Sequence, residues 1–319
     1  MTTRMILFSN KYVLLTESLR KSAMRKMFIY MVGVRKPLIA LIIIVLWPVF
    51  TYGETIFSDN FDSCSTNCTV NAGGTPPNSA GWASWHQGGI SETVGGVTHY
   101  SGEITSPGYG GVGKSLKMWR ADGVFGDYTG TLRWEGYTGQ THFFMSYHIK
   151  IPTAFKYTGN PGGTGFKSWR LMTNSEVSGK HEIYLNFNTY GDTWSIHDGG
   201  SGWTTMLSGS QKSVIWDGNW HFIEWEFGFD TNVLRLWVDS VLKYEDTKRA
   251  WNVTGGLRGI QHFNIGNTFD HNGTWQTGWQ AMEVDNFVLS TTYVAPVSGG
   301  GEPPPLGKQP NPPAKLQLR

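Results

Sequence analysis

Short segments in which apolar and polar residues alternate fill residues 54–295, and this pattern constrains the fold most. Within one segment, apolar Ile183, Leu185 and Phe187 alternate with polar residues. Side chains on a β-strand point alternately to its two faces, so these three residues share a face directed at a core. Gly, Asn, Asp and Pro separate the segments, and no amphipathic helix pattern interrupts them. About a dozen candidate strands predict an all-β fold, with two antiparallel sheets packed as a sandwich.

The two ends of the chain differ from this middle part. Residues 38–50 are apolar, follow a basic segment and precede Gly53, which is the order of a secretory signal peptide. A membrane anchor is the alternative, but a spanning helix needs about 20 apolar residues and this run is shorter. The last residues are rich in Pro and Gly without apolar periodicity, which is typical of a flexible tail. We therefore predict a secreted protein, extracellular or periplasmic, with a lead and signal peptide over 1–53, one domain over 54–295 and a tail over 296–319.

Charge and cysteine content restrict the partners. Most of the basic excess lies in residues 1–36, so the rest of the chain is mildly acidic and holds no Lys/Arg cluster. This argues against nucleic acid as a partner. No membrane contact is expected after signal cleavage, and we expect a monomer. Cys64 and Cys68 predict one small disulfide in an exported chain, since a metal site would need further Cys or His ligands nearby.

The second face of the alternating strands suggests a ligand class. It carries amides, carboxylates and aromatic rings, as Tyr184 and Asn186 show between the apolar positions of their strand. Flat rings stack on sugar rings and forked polar groups meet hydroxyls, so this face suits a carbohydrate. Together with export, the pattern indicates an extracellular polysaccharide as the partner. It leaves open whether the chain cleaves the polymer or only holds it.

Three segments resemble the concanavalin A-like lectin/glucanase superfamily. They are the opening residues 57–62, the hairpin over 220–240 and the closing residues 282–290. The resemblance covers nearly all of the predicted domain. It implies a two-sheet antiparallel β-jelly-roll sandwich in which the concave sheet carries the ligand.

Within that superfamily the chain looks most like the heparin-lyase-type polysaccharide lyases, at residues 133–135, 145–152 and 167–169. Such a lyase acts on uronic-acid polymers by β-elimination. It must neutralise a carboxylate, for which Arg or amides are suitable. It must also remove the neighbouring proton, for which His or Tyr is suitable, and protonate the leaving oxygen, for which Tyr is suitable.

These roles select candidates on strands that we expect in the concave sheet, although each residue could instead be structural. The candidate catalytic residues are Tyr184, His148, Arg133 and Lys167. The candidate substrate-binding residues are Glu182, Asn186, Asn188, Lys117, Trp119, Trp169, His262 and Asn264.

Two other functions remain open. A non-catalytic, lectin-like module would use the same aromatic and amide groups for binding alone. A glycoside hydrolase of the glucanase type needs two carboxylates about 5 Å apart if it retains configuration. The near match is Glu283 with Asp285. Glu224 and Glu226 share a strand face and are expected to face Arg235 or its neighbours across a hairpin, in a cross-strand ion pair.

A structural calcium ion is the one cofactor that the sequence suggests. Asp59 or Asp62 at the start of the domain and Asp285 at its end could meet beside the ion, and carboxylate oxygens are the ligands that calcium prefers. Asp is also common in turns, so these residues could serve the backbone instead.

Overall fold

A computed structural model describes most of the predicted domain. The described residues are 54–65, 68–69, 81–86, 91–94, 96–120, 131–135, 140–153, 157–158, 166–175, 179–188, 193–198, 203–208, 215–249, 251, 260–265, 274–275, 280–294 and 296. The predicted lead and signal peptide, and the predicted tail beyond residue 296, lie outside these residues, so those assignments stay predictions. Within the described residues, no helix has the length and hydropathy needed to cross a membrane.

Nineteen strands and one short 3-10 turn, Tyr109–Gly111, make up the regular structure of the described residues. In chain order the strands are β1 (Thr55–Asp59), β2 (Ser84–His86), β3 (Ser91–Val94), β4 (Val97–Tyr100), β5 (Gly102–Thr105), β6 (Ser115–Arg120), β7 (Thr131–Glu135), β8 (His142–Lys150), β9 (Tyr157–Thr158), β10 (Phe166–Ser175), β11 (Gly179–Asn188), β12 (Thr193–Asp198), β13 (Trp203–Ser208), β14 (Trp220–Gly228), β15 (Val233–Val238), β16 (Val241–Asp246), β17 (Ile260–Ile265), β18 (Thr274–Trp275) and β19 (Gln280–Ser290).

Two large antiparallel sheets contain most of these strands. The eight-stranded sheet has the order β16-β15-β14-β8-β19-β6-β5, and β1 pairs with β19 as its eighth strand. The seven-stranded sheet has the order β13-β12-β11-β10-β17-β7-β2. Two minor sheets pair β9 with β18 and β3 with β4. The predicted two-sheet antiparallel β-jelly-roll sandwich is confirmed.

One apolar core joins the inner faces of the two large sheets. Ile183 and Leu185 of the seven-stranded sheet are fully buried, as are Tyr147 and Trp225 of the eight-stranded sheet. The rings of Trp194 in β12 and Trp225 in β14 stack with centroids 6.4 Å apart, which brings the two sheets into contact. Burying one such side chain stabilises the fold by about 1.5–3 kcal/mol. The apolar residues of each alternating strand therefore point into the core between the two sheets, as the sequence indicated.

The outer face of the eight-stranded sheet is partly covered by two chain segments. The segment around the 3-10 turn places the ring of Tyr109 on that of His148, with centroids 3.8 Å apart. The residues after β19 place Tyr293 edge-on against Trp237 of β15, at 5.6 Å. Consequently several polar residues of this outer face are shielded from water although they point away from the core.

The chain closes on itself at β1 and β19. Their register pairs Thr55 with Ser290 and Asp59 with Phe287. Just beyond the strands, the Thr291 amide donates to the Glu54 carbonyl at 2.9 Å. The predicted disulfide between Cys64 and Cys68 is formed shortly after β1 and is also confirmed.

Candidate functional site

One row of paired residues crosses five strands of the seven-stranded sheet. Cα pairing joins Arg133 to Asn264, Asn264 to Arg170, Arg170 to Tyr184, and Tyr184 to His197. Directly paired residues in antiparallel strands occupy the same face, so all five positions share one face. We call these five residues the Arg133 row. The side chain of Arg133 is described and is partly exposed.

The next row along the strands shows that the Arg133 row lies on the outer face. Leu132 pairs with Ile265, Ile265 with Trp169, Trp169 with Leu185 and Leu185 with Ile196. Leu132, Ile265, Leu185 and Ile196 are fully buried in the core. The position of Trp169 thus falls in an inner row, which differs from its assignment as a substrate-binding residue on the outer face.

The remaining candidates of this sheet occupy outer-face positions beside the Arg133 row. Lys167 pairs with Asn186 on one side of it. On the other side, Met172 pairs with both His262 and Glu182. Asn188, at the end of β11, pairs with Thr193. The backbone register therefore gathers Lys167, Glu182, Tyr184, Asn186, Asn188, His262, Asn264 and Arg133 on one sheet face.

Two members of the Arg133 row were missed from the sequence. Arg170 alternates with the apolar residue Leu171, and His197 follows Ile196 in the same way. The alternation of each strand was therefore enough to place both on an outer face. Their pairing with Tyr184 was not readable, because it depends on which strands become neighbours.

The other three candidates lie on the opposite sheet. Lys117 and Trp119 belong to β6 and His148 to β8, and both strands are part of the eight-stranded sheet. The sequence alone suggested a single concave sheet for all candidates. Strand pairing instead separates these three from Tyr184, because β6 and β8 both form their hydrogen bonds with β19.

His148 is also shielded from solvent. It is 2% exposed, and its ring lies between Tyr109, at 3.8 Å, and Phe222, at 5.3 Å. Its Nδ1 has no hydrogen-bond partner among the described residues. Burial lowers the pKa of His148 to about 4, so the imidazole is neutral at pH 7. This environment packs the ring and gives it no access to a polymer substrate.

Lys117 and Trp119 instead line a cleft on the outer face of the eight-stranded sheet. The cleft has a volume of about 390 Å³. Its described lining includes Lys117, Trp119, Lys150, Thr153, Ala281 and Glu283. At its centre, Glu283 accepts a hydrogen bond from Lys150 Nζ at 3.0 Å, and Lys117 Nζ lies 3.9 Å away. We call this feature the Lys117 cleft.

The carboxylates considered for glycoside hydrolysis have other partners. Glu226 forms ion pairs with Arg235 and His142, both at 2.8 Å, so the predicted cross-strand pair with Arg235 is confirmed. Burial alone would raise the pKa of Glu226, but these two partners hold it below its usual value. Glu224 does not face Arg235.

Glu224 is fully buried and accepts a hydrogen bond from the Val294 amide at 2.6 Å. Burial raises its pKa well above the usual value of a Glu. Glu224 lies opposite Trp237, a neighbour of Arg235 on β15. The expected ion pair is corrected for Glu224, because the segment after β19 covers this carboxyl.

Asp59 and Asp285 are engaged by the backbone and by an indole. Asp59 accepts hydrogen bonds from the Phe61 amide at 2.7 Å and from Trp82 Nε1 at 2.5 Å. Asp285 accepts them from the amides of Tyr109 and Asn286 at 2.7 and 2.6 Å.

Their charges nevertheless interact. Burial raises the pKa of Asp285 to about 7, and the charges of Asp62 and Asp59 add to the rise. Each carboxylate oxygen has a second lone pair, so the chemistry of the two side chains suits a calcium ion. In the described part of the chain, no group of three or more His, Cys, Asp or Glu side chains is arranged to hold a metal. Calcium at Asp59 and Asp285 stays a prediction.

Comparisons with known proteins add little. No family model matches the chain, and no curated protein matches it. Among solved structures, it is similar to the Trypanosoma rangeli sialidase in complex with the inhibitor DANA, with 17% sequence identity over 60% of this chain and 27% of that one, at a TM-score of 0.35. The binding domain of botulinum neurotoxin DC in complex with SialylT gives 9% identity over 63% and 47%, at 0.37. The chain thus spans less than half the length of either structure. Similarity at these TM-scores identifies neither a family nor a function.

Proposed function

We propose that this protein is a secreted polysaccharide lyase that cleaves a uronic-acid polymer by β-elimination on the outer face of the seven-stranded sheet. The Arg133 row is the observation that carries the proposal. Its register aligns two guanidinium positions, one amide position and a Tyr–His pair across five neighbouring strands.

Each step of the elimination has a candidate in this row. Arg133 and Asn264 would stabilise the negative charge that develops on the uronate carboxylate when the C5 proton leaves. His197 or Tyr184 would accept that proton as the base. The electron pair then forms the C4–C5 double bond while the C4–O bond breaks. Tyr184 would protonate the leaving oxygen, so the products are a new chain end and an unsaturated uronate.

The polar positions beside the row support a polymer rather than a small substrate. Further polar positions extend the site along the strand direction on both sides of the row. They are Lys167 with Asn186 on one side, and His262 with Glu182 on the other. Strands rise about 3.3 Å per residue, so three such rows span a length comparable with a sugar ring and its flanking linkages. Binding alone would use the same surface, and only turnover separates the two functions.

Hydrolysis has weaker support. A retaining hydrolase requires one carboxylate nucleophile and one acid about 5 Å apart and open to the sugar. Glu283 is ion-paired with Lys150, and Asp285 is 4% exposed and bound to two backbone amides. Neither carboxylate of this pair is thus poised for attack.

The test is incubation of the purified protein with a panel of uronic-acid polymers, while following the ultraviolet absorbance of unsaturated ends. We expect turnover, and we expect Tyr184→Phe to reduce it by roughly a hundred- to ten-thousand-fold because one proton transfer is lost. Tyr244→Phe, the same change on the other sheet, should leave turnover unaltered. Reducing ends without new absorbance would overturn the lyase proposal in favour of hydrolysis. Binding without either product would leave a lectin-like module.

A further inference from the structure

The Lys117 cleft lies on the eight-stranded sheet, whereas the Arg133 row lies on the seven-stranded sheet, and the proposed lyase chemistry does not use the cleft. We propose that the Lys117 cleft binds a carboxylate-bearing sugar at a site separate from the Arg133 row. The inference does not rest on the proposed function, because it would hold equally for a non-catalytic protein. It rests on the free hydrogen-bonding capacity of the cleft, its aromatic wall and its size.

The hydrogen-bonding capacity left in the cleft is mostly that of donors. Lys150 has three N–H donors, and its described contact uses one on Glu283 Oε1 at 3.0 Å. Lys117 likewise uses one on the Ser106 carbonyl at 3.1 Å. Both oxygens of Glu283 are already engaged, since Oε2 accepts from Ser115 Oγ at 3.2 Å. A ligand rich in acceptors, such as a carboxylate, complements two ammonium groups in this state.

An aromatic wall beside these charges suits a sugar ring. Trp119 lines the cleft, and its Nε1 donates to Glu103 Oε1 at 2.7 Å, which fixes the orientation of the ring. Lys150 Nζ lies 5.9 Å from the ring centre of Trp220, so a second indole lies near this ammonium group. An apolar platform with a few fixed polar groups is the usual composition of a small-molecule site. The volume of about 390 Å³ accommodates one or two sugar units.

A contribution to folding stability does not explain why the charged groups of Lys117 and Glu283 lie together in the cleft. The side chains of Lys117 and Glu283 are each only 12% exposed. Removing such charges from water costs free energy that their mutual attraction often fails to recover. Lys117 and Glu283 are moreover 3.9 Å apart, beyond hydrogen-bond distance. A third charged partner, supplied by a ligand, would complete the network.

Binding of uronate trisaccharides, measured by calorimetry with the full chain, tests the proposal. The matched neutral trisaccharides serve as the ligand control. We expect the acidic trimers to bind, and we expect Lys117→Met with Lys150→Met to weaken them at least tenfold. Met keeps the aliphatic stem and removes only the ammonium group. Lys248→Met, which removes an exposed charge elsewhere, should leave the affinity unchanged.

Measurements in an Arg133→Ala background separate this site from the opposite sheet. The cleft should still bind acidic trimers there, with the same loss when both lysines are replaced. If the lysine variants misfold, Thr153→Trp provides a second test, because Thr153 is exposed and lines the cleft, so a large ring would obstruct it. The proposal is overturned if Arg133→Ala alone removes all binding, if neutral trimers bind equally well, or if neither the lysine variants nor Thr153→Trp weakens binding. None of these outcomes depends on turnover.

Discussion

His148 shows how the outer face of the eight-stranded sheet treats ionisable residues. The imidazole points away from the core but is covered by Tyr109, and burial lowers its pKa to about 4. Glu224 on the neighbouring strand is covered by the segment that contains Val294, and burial raises its pKa. In both cases the covering segment favours the neutral form because a buried charge would lose its hydration. The chemistry of this face therefore depends on what packs over it.

The first prediction at this scale concerns stability in acid. The unfolded chain protonates His148 near pH 6.5, whereas the folded chain does so only near pH 4. As the pH falls through this window, protons bind preferentially to the unfolded state, so the free energy of unfolding decreases. The contribution of His148 amounts to roughly 3 kcal/mol. Asp285, whose pKa is raised from 3.8 to about 7, acts in the opposite direction, and because its shift is at least as large as that of His148 it offsets this loss in the natural protein.

Comparison with a variant isolates the contribution of His148. His148→Phe keeps a ring between Tyr109 and Phe222 and removes the titrating group. Urea unfolding at pH 7 and at pH 4.5, with calcium chelated, measures the change in stability of each protein, and on going to pH 4.5 this change should be more favourable in the variant than in the natural protein. Equal changes in the two proteins would mean that His148 is not buried in its neutral form.

At the scale of one element, β11 separates a structural face from a candidate functional face. Ile183 and Leu185 are fully buried, and Tyr184 lies between them at a position paired with Arg170 and His197. Because alternate residues point to opposite faces, a change at one position should affect folding and a change at the next should affect function.

Paired substitutions on β11 test this separation. Ile183→Asn should unfold the domain or lower its stability by several kcal/mol, because it buries an unpaired amide in the core. Tyr184→Asn introduces the same side chain one residue away and should leave the melting temperature nearly unchanged. Circular dichroism melting curves compare the two variants. A harmless Ile183→Asn together with a destabilising Tyr184→Asn would show that the two faces are reversed.

Elements of this kind could be predicted from sequence because their signals are local. The hairpin of β14 and β15, with its Glu226–Arg235 pair, forms as its alternation and turn residues indicated. The division of the candidate site could not be predicted in the same way. Alternation places Lys117 correctly on an outer face, but nothing near Lys117 in sequence specifies that β6 pairs with β19. Likewise, the cover over Glu224 comes from residues around Val294, far along the chain.

At the scale of the whole molecule, the first and last strands of the domain pair with each other. β1 pairs with the second half of β19, and Tyr293 and Val294 beyond it are buried. Residues just after β19 therefore contribute to the packing of the domain. The Pro/Gly-rich tail that follows has no apolar face to bury.

Two truncations test where the domain ends. A chain that stops at residue 295 should melt at the same temperature as the longer chain, because a sequence without apolar periodicity is not expected to pack on the domain. A chain that stops at residue 290 loses Tyr293, Val294 and the Thr291–Glu54 hydrogen bonds, and should melt several degrees lower. Differential scanning calorimetry distinguishes the two cases. A lower melting temperature on removing the tail alone would indicate that the tail docks on the domain.

The pairing of β1 with β19 also determines how this domain could be joined to others. Glu54 and Thr291 are hydrogen-bonded neighbours, and residues 293–294 then continue over the eight-stranded sheet, so the two ends of the domain lie on the same sheet and close together. Such a domain can be inserted into a surface loop of a host protein, or reopened elsewhere with its original ends joined by a short linker, without stretching either chain. Any module attached at either end would therefore depart from the eight-stranded sheet.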